Sequence, residues 1–357
     1  MSQRLPMNLF DRLSESIDKA IAFLHGEQLP CGQFKTLVGR ANCKEEECQF
    51  DSSPFTTTFV VYSLSFVDDA RALQMQDKAL DFLEREGSPP GLWRFWTKDK
   101  GYRSAISPVS IPPDLDDTCC ASFVLKKYRK QPNNLKLILA NRNPNGLFYT
   151  WFLPRFNNLF IEPKFWLQSI LEIPSQLLIW KNTEAEPGDV DCAVNANALL
   201  YLGEREETKA AIEYLIDITL KGEDSISDKW YLSKFVYYYM LSRAYFNGIV
   251  SLEAVKDVVV HHLETQLKQQ VGSLNPLDAA LGICSLLNYQ EYSKLHSTYI
   301  EQIITNLIES QFSTGGWSRI ALYYGGPKQY YGWGSQELTA AFCLEALARY
   351  ACSLVES

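Results

Sequence analysis

The sequence predicts an all-α chain folded as an (α/α)6 barrel of six helical hairpins. Three observations predict it. A helix, a Gly-x-aromatic turn and a second helix recur along the whole chain; the second helix of each pair is the more apolar; and no stretch shows sustained strand-like alternation. Such hairpins cannot bury their apolar faces alone, so they must stack on one another. An open solenoid is the alternative to a ring, but it needs polar capping repeats, and the last helix, Leu338 to Leu347, is apolar.

The copies run in order. The first has Ala20-Ile-Ala-Phe-Leu24, the turn Gly32-Gln-Phe34, then Thr56 to Tyr62. The second has Ala79-Leu-Asp-Phe-Leu83, Gly91-Leu-Trp93 and a helix opening at Asp114. The third has Leu135 to Leu139, Gly146-Leu-Phe148 and, after an insertion at 150–187, Asp189 to Leu199. The fourth has Ala211 to Leu215, Asp228-Lys-Trp230 with aspartate in place of glycine, and Phe235 to Met240. A degenerate fifth has His262 to Gln266, Gly272-Ser-Leu274 and Leu277 to Leu287; the sixth has Ile303 to Ile308, Gln311 to Trp317 and Ser335 to Leu347. The chain therefore reads as one barrel domain, 1–357. The more apolar second helices belong on the inner ring, with all their N-termini at one end. The insertion is aromatic and carries basic residues. It is expected to be an extra helical hairpin packed on the barrel and lining its entrance, or else a surface that touches a membrane.

Composition narrows the function. The chain is 46% hydrophobic and 21% charged with a formal net charge of −8, which argues against a nucleic-acid partner. No leader and no apolar run of 18 residues is evident, so a cytoplasmic location is expected. The nine cysteines are scattered, several in apolar helical runs (Cys119, Cys120, Cys284, Cys343), and read as reduced thiols. Cys43 and Cys48 flank a Lys-Glu-Glu-Glu run that reads as a solvated loop rather than half a zinc site.

The stretch Ile111-Pro-Pro-Asp-Leu-Asp-Asp-Thr-Cys-Cys120 concentrates chemistry. Three carboxylates within four positions, Asp114, Asp116 and Asp117, cannot all stay ionised away from water, so one should hold a proton at neutral pH. Pro112 and Pro113 end what precedes, and Asp114 lies near the N-cap of the helix that follows. There the helix dipole favours the anion left after proton donation. That suits a strong general acid in a dry site; the plain alternative is an acidic cap on a solvated face.

Asp114-Leu-Asp-Asp117 resembles the DxDD motif of class II terpene cyclases. Gln311-x-x-x-Gly-x-Trp317 and Gln28-x-x-x-Gly-x-Phe34 resemble the glutamine/tryptophan repeats of squalene and hopene cyclases. Those enzymes carry two barrels and this chain has room for one. It therefore resembles the single-barrel class II cyclases that fold the prenyl tails of meroterpenoids, the type that makes merosterolic acids. The resemblance implies that Asp116 protonates a terminal alkene while Asp114 and Asp117 hold the proton and stabilise the conjugate base. It puts Asn195, four positions past Asp191, where hopene cyclases have a histidine that orients the acid. It implies a hydrophobic prenylated substrate, no cofactor and no metal. Aromatic faces attract cations by about 0.5–2 kcal/mol each. Trp96, Trp151, Tyr238, Tyr331 and Trp333 are the candidates to line the cavity, and the turn aromatics Phe34, Trp93, Phe148, Trp230 and Trp317 are assigned to structure. Arg94, Arg103, Arg155 and Lys164 are candidate anchors for a substrate carboxylate.

Other chemistries compete. Protein prenyltransferase β subunits share the barrel but bind zinc; Asp117-Thr-Cys119 has a suitable spacing, yet none of the four histidines (His25, His261, His262, His296) begins an inner helix. Ionisation-type synthases need an Asp-Asp-x-x-Asp cluster, which neither Asp68-Asp-Ala-Arg-Ala72 nor Glu223 to Asp228 supplies. A barrel glycosidase would set Asp116 against a second carboxylate such as Asp191 across a polar groove. Cyclisation of a free prenyl diphosphate and a non-enzymatic binding module remain as further alternatives.

Overall fold

The computed structural model describes residues 8–40, 43–98 and 111–356. Hairpin by hairpin, the helices are α1 (Leu9–Glu27) and α2 (Pro54–Leu64); α3 (Ala70–Glu86) and α4 (Leu115–Tyr128); α5 (Leu135–Ala140) and, after an inserted α6 (Pro163–Asn182), α7 (Cys192–Leu202). There follow α8 (Lys209–Lys221) and α9 (Lys234–Phe246); α10 (Lys256–Gln269) and α11 (Pro276–Asn288); and, after a short α12 (Tyr292–Leu295), α13 (Thr298–Glu309) and α14 (Gln336–Glu356). The second helix of each pair packs on the second helices before and after it, and α14 packs back on α2, which closes an inner ring of six. Outer helices α3, α8 and α13 lie against the inner helices α2, α7 and α11 that precede them, and α1 lies against α14. This is the all-α (α/α)6 barrel that the repeats predict.

Residue pattern and position agree. Every residue of α2 and of α7 is buried, so neither helix has a polar face to present. Outer helices such as α1 and α13 bury one stripe, for example Leu13, Ala20, Ile21 and Leu24 on α1. Inner helices start where the sequence stops them from starting earlier. Ser53 caps α2 by accepting from the Phe55 amide ahead of Pro54, and Asn275 caps α11 by accepting from Asp278 ahead of Pro276. Helix α14 is long and apolar enough to cross a membrane, but most of it is buried inside the barrel.

The turn motifs staple the outer ring. The indole N–H of Trp317 donates to the Leu307 carbonyl at 2.8 Å and that of Trp93 to the Leu83 carbonyl at 2.9 Å, so each ties off the end of its own outer helix. The Gln311 amide donates to the carbonyls of Gly315 (2.9 Å) and of Ser16 on α1 (3.0 Å), and Gln28 bonds Gly32 and Met75 of α3 in the same way. Gln311 thus ties the last outer helix to the first.

Two expectations fail. The chain carries a four-stranded antiparallel sheet in the order β2 (Gln49–Phe50), β1 (Leu37–Arg40), β4 (Tyr331–Gly334), β3 (Tyr323–Gly325). Strands this short leave no alternation to read. They pair because the α1–α2 and α13–α14 connections become neighbours once the ring closes, with Leu37 opposite Gly334 and Arg40 opposite Tyr331. The insertion, in turn, holds one helix rather than a hairpin. Helix α6 exposes Leu167, Ile170, Leu171 and Leu177 along one stripe, and Phe156 and Phe160 before it are 87% and 83% exposed.

The turns set a clear stability test. Gly315 has φ +96°, and a Cβ there would run into the Lys19 carbonyl of α1. Gly315→Ala is expected to lower the unfolding free energy by about 2 kcal/mol or more in a urea titration, whereas the same change at Gly188, which has open space around it, should cost far less.

Candidate functional site

Asp114 is the N-cap of α4: its Oδ1 accepts the Asp117 amide at 2.8 Å, and all three carboxyls of the cluster are buried. Asp116, one residue into the helix, faces a cavity at the end of the barrel where the inner helices begin. Its two oxygens are both taken. Oδ1 accepts from Asn197 Nδ2 of α7 at 2.6 Å, and Oδ2 accepts from the Tyr231 hydroxyl just ahead of α9. Burial raises the Asp116 carboxyl above its ordinary range, while the Tyr231 and Asn197 hydrogen bonds and the Arg243 charge pull it back. Burial likewise pushes Asp114 up and holds Asp117 well above the usual range, the latter raised further by the Asp114 charge. Asp114 Oδ2 and Asp117 Oδ1 have no hydrogen-bond partner among the described residues. All three carboxyls are buried and raised, so the solvated-face alternative is overturned.

The cavity encloses about 780 Å³ counted out to its open mouth. Its walls are aromatic, with Phe55, Phe95, Trp151, Trp230, Tyr323 and Trp333 prominent, and Trp96 also contributes. Phe95 meets Tyr323 and Trp333 edge-on at 5.6 and 5.5 Å, and Trp151 meets Trp230 edge-on at 5.9 Å. Four indole N–H groups are turned away from the lumen onto carboxylates. Trp96 and Trp333 donate to Asp51 at 3.0 and 2.7 Å, Trp151 to Asp189 at 3.2 Å and Trp230 to Asp191 at 3.0 Å. Each tryptophan has its polar edge satisfied and its ring free to face the cavity.

The sequence candidates divide accordingly. Trp96, Trp151 and Trp333 line the cavity. Tyr238 does not: it sits on the outer side of α9, its hydroxyl 3.0 Å from His262 Nδ1 of α10. Tyr331 lies two strand positions before Trp333, packed against Tyr330, and is not part of the wall. Trp230, assigned to structure, belongs instead to the wall; its N–H goes to the Asp191 carboxylate at the start of α7 and not to the last carbonyls of an outer helix. Asn195 is no partner of Asp116. Its amide clamps the Phe148 backbone in both directions at 3.1 Å and bonds the Asp191 carbonyl at 2.9 Å. Asn197, two residues on and some 200° round the helix, takes the place assigned to it.

Of the candidate anchors, Arg94 pairs with Glu172 at 2.7 Å, and Arg155 stacks on Tyr149 while bonding the Trp151 and Pro187 carbonyls. Lys164 is exposed on α6, and Arg103 lies outside the described residues. Tyr231, Asn197, Arg243 and Asp51 were missed by sequence reasoning; an amide inside the apolar α7 and an arginine inside α9 were the signals available. Cys119 is buried in α4, and among the described residues no three His, Cys, Asp or Glu side chains are grouped to hold a metal.

No protein-family model and no curated relative matches the chain. Solved structures do. The type II terpene cyclase MstE from Scytonema matches with a TM-score of 0.65 at 15% identity, over 97% of this chain and 100% of that one. A variant of MstE in complex with its substrate geranylgeranyl dihydroxybenzoate matches with a TM-score of 0.62 at 13% identity, over 96% and 99%. A protein from Salmonella enterica described as a possible member of the GH105 family matches with a TM-score of 0.55 at 11% identity, over 99% and 97%. The chain thus has the helical-barrel fold that type II terpene cyclases and GH105 proteins share. Within it, the full-length likeness to MstE is the higher.

A second acidic group makes the electrostatics testable. Asp228 caps the start of α7 and the turn to α9, accepting from the amides of Ala193, Trp230 and Tyr231; burial raises it to about 7, with the Asp191 charge adding to the shift. A carboxyl whose folded pKa lies above its unfolded value contributes stability below about pH 4 that is lost as pH rises through about 7. Asp228→Asn keeps an acceptor and removes the titration, so its unfolding free energy should fall less between pH 5 and 8 than that of the wild type.

Proposed function

We propose that the protein is a class II, proton-initiated terpene cyclase acting on a linear polyprenyl chain carried by an aromatic acid, of the geranylgeranyl dihydroxybenzoate kind, and closing it into a polycyclic meroterpenoid. The observation that carries this reading is a buried Asp116, raised by desolvation, at the wall of a cavity lined by aromatic rings. The substrate class follows from the fold-level likeness to MstE together with the apolar character of the walls.

The chemistry follows from the groups present. Asp116 transfers its proton to the terminal alkene; the O–H bond breaks, a C–H bond forms from the π electrons, and a tertiary cation remains. Tyr231 and Asn197, already bonded to the two Asp116 oxygens, stabilise the carboxylate left behind. Successive ring closures move the cation along the folded chain past the faces of Phe95, Trp151, Trp230 and Trp333, which attract it without offering a nucleophile. Loss of a proton from carbon ends the reaction, so product and substrate are isomers.

A glycosidase of the same fold fits less well. Its second carboxylate, Asp191, is tied to Thr150 (2.5 Å) and Trp230 (3.0 Å), and the space before Asp116 is an aromatic chamber rather than a polar groove.

The deciding assay incubates the protein, with EDTA present, with geranylgeranyl dihydroxybenzoate and separately with geranylgeranyl diphosphate and squalene. An isomeric product from the aromatic substrate is expected, and Asp116→Asn should lower its formation at least ~10³-fold while thermal unfolding is little changed. Turnover retained in Asp116→Asn would sink the assignment.

Such a substrate is held in membranes, and the insertion offers a means of reaching it. The exposed stripe of α6 lies beside the mouth, which Thr183 and Ala185 help to line, and exposed Lys164 and Lys181 flank it. Co-sedimentation with anionic lipid vesicles is expected for the wild type, and replacement of Phe156, Phe160 and Leu171 by Ser should leave the protein in the supernatant.

A further inference from the structure

We infer that Arg243 is a positioning residue that acts on Asp116 through Asn197, placing the positive charge that balances the carboxylate left when the proton departs. The inference rests on the cyclase reading and adds to it a residue on a different helix.

Arg243 sits in the last turn of α9, 2% exposed, in the middle of the barrel. One guanidinium nitrogen donates to Asn197 Oδ1 at 2.5 Å, and the Nδ2 of the same amide donates to Asp116 Oδ1 at 2.6 Å. The chain of donors runs one way, from cation to carboxyl. An amide that accepts from a guanidinium becomes a better donor through its nitrogen, so Asn197 relays part of the charge. The relay also fixes the Asn197 orientation, because a flipped amide would set its NH2 against the guanidinium.

A second feature separates this charge from the reacting chain. The guanidinium carbon lies 4.9 Å from the ring centre of Phe59, 5.3 Å from Tyr62 and 5.4 Å from Tyr239. Phe59 in turn packs at 4.9 Å against Phe55, which lines the cavity. Arg243 therefore reaches Asp116 through a hydrogen-bond relay while the Phe59 and Phe55 rings stand between it and the lumen. A cation facing the lumen would oppose the carbocation; one behind a layer of rings strengthens the acid without that penalty. The Glu345 carboxylate deeper in the barrel does not cancel it, because Glu345 is already paired with Arg349 at 2.9 Å.

The test compares two substrates that demand different acid strength: geranylgeranyl dihydroxybenzoate and its terminal epoxide, whose oxygen is far more easily protonated than an alkene. Arg243→Gln keeps a polar side chain of ordinary burial cost and removes both the charge and the guanidinium contact with Asn197. Its kcat on the alkene should fall on the order of 10²-fold with KM within about 3-fold, while kcat on the epoxide falls less than about 10-fold. Arg243→Lys should recover much of the alkene activity. If Arg243→Gln does not fold by circular dichroism, Asn197→Leu, which breaks the relay and leaves the charge in place, is read by the same alkene-to-epoxide ratio. Equal losses on both substrates, or no loss on either, would overturn the assignment. A wild-type protein inert toward both substrates would instead overturn the cyclase reading and this inference with it.

Discussion

The cost of holding a carboxyl away from water governs the mouth of this barrel. An ionised carboxylate in apolar surroundings costs several kcal/mol unless it is bonded or protonated, and this chain buries several within one end of the inner ring. Two solutions coexist. Asp51, Asp189 and Asp191 each take tryptophan N–H groups, so the carboxylates that need donors are what hold the aromatic walls in place. Asp114, Asp116 and Asp117 are instead raised by burial in spite of the donors they have, with the charge of a neighbouring aspartate adding to the rise of Asp114 and Asp117. The same desolvation thus orders the aromatic walls and raises the carboxyls of the cluster.

The fold was legible because its units are local. Each hairpin announces itself through a Gly-x-aromatic turn and a contrast between a striped helix and an almost wholly apolar one, and that contrast sorts outer from inner. The sheet was not legible, since its strands are two to four residues long and meet only after the ring closes. The insertion was seen as aromatic and separate, but composition alone does not distinguish a hairpin from a long loop and one helix.

At the site, what lay within one turn of helix was readable and what lay across the barrel was not. Asp114, Asp116 and Asp117 share one helix start, so their mutual repulsion follows from spacing. Asn195 and Asn197 differ by two positions, and on a helix that is the difference between the backbone of the Phe148 turn and the acid itself. Tyr231 lies 115 positions from Asp116, and Arg243 reaches it only through α7. Tyr238 and Trp230 misled in opposite directions. One is an aromatic of an inner helix that points outward, and the other is a turn aromatic whose N–H found a carboxylate in place of an outer-helix carbonyl.

The sheet that joins the α1–α2 and α13–α14 connections also orders events in time. The helix that bears Asp116 leaves the ribosome well before Tyr323 and Trp333, which close the wall in front of it and reach β1 only once the sixth hairpin has docked. Until that wall closes, the side of the cavity formed by Tyr323 and Trp333 stands open in front of the three aspartates. The raised proton affinity of the cluster is thus a property of the closed ring and not of the single helix that carries it.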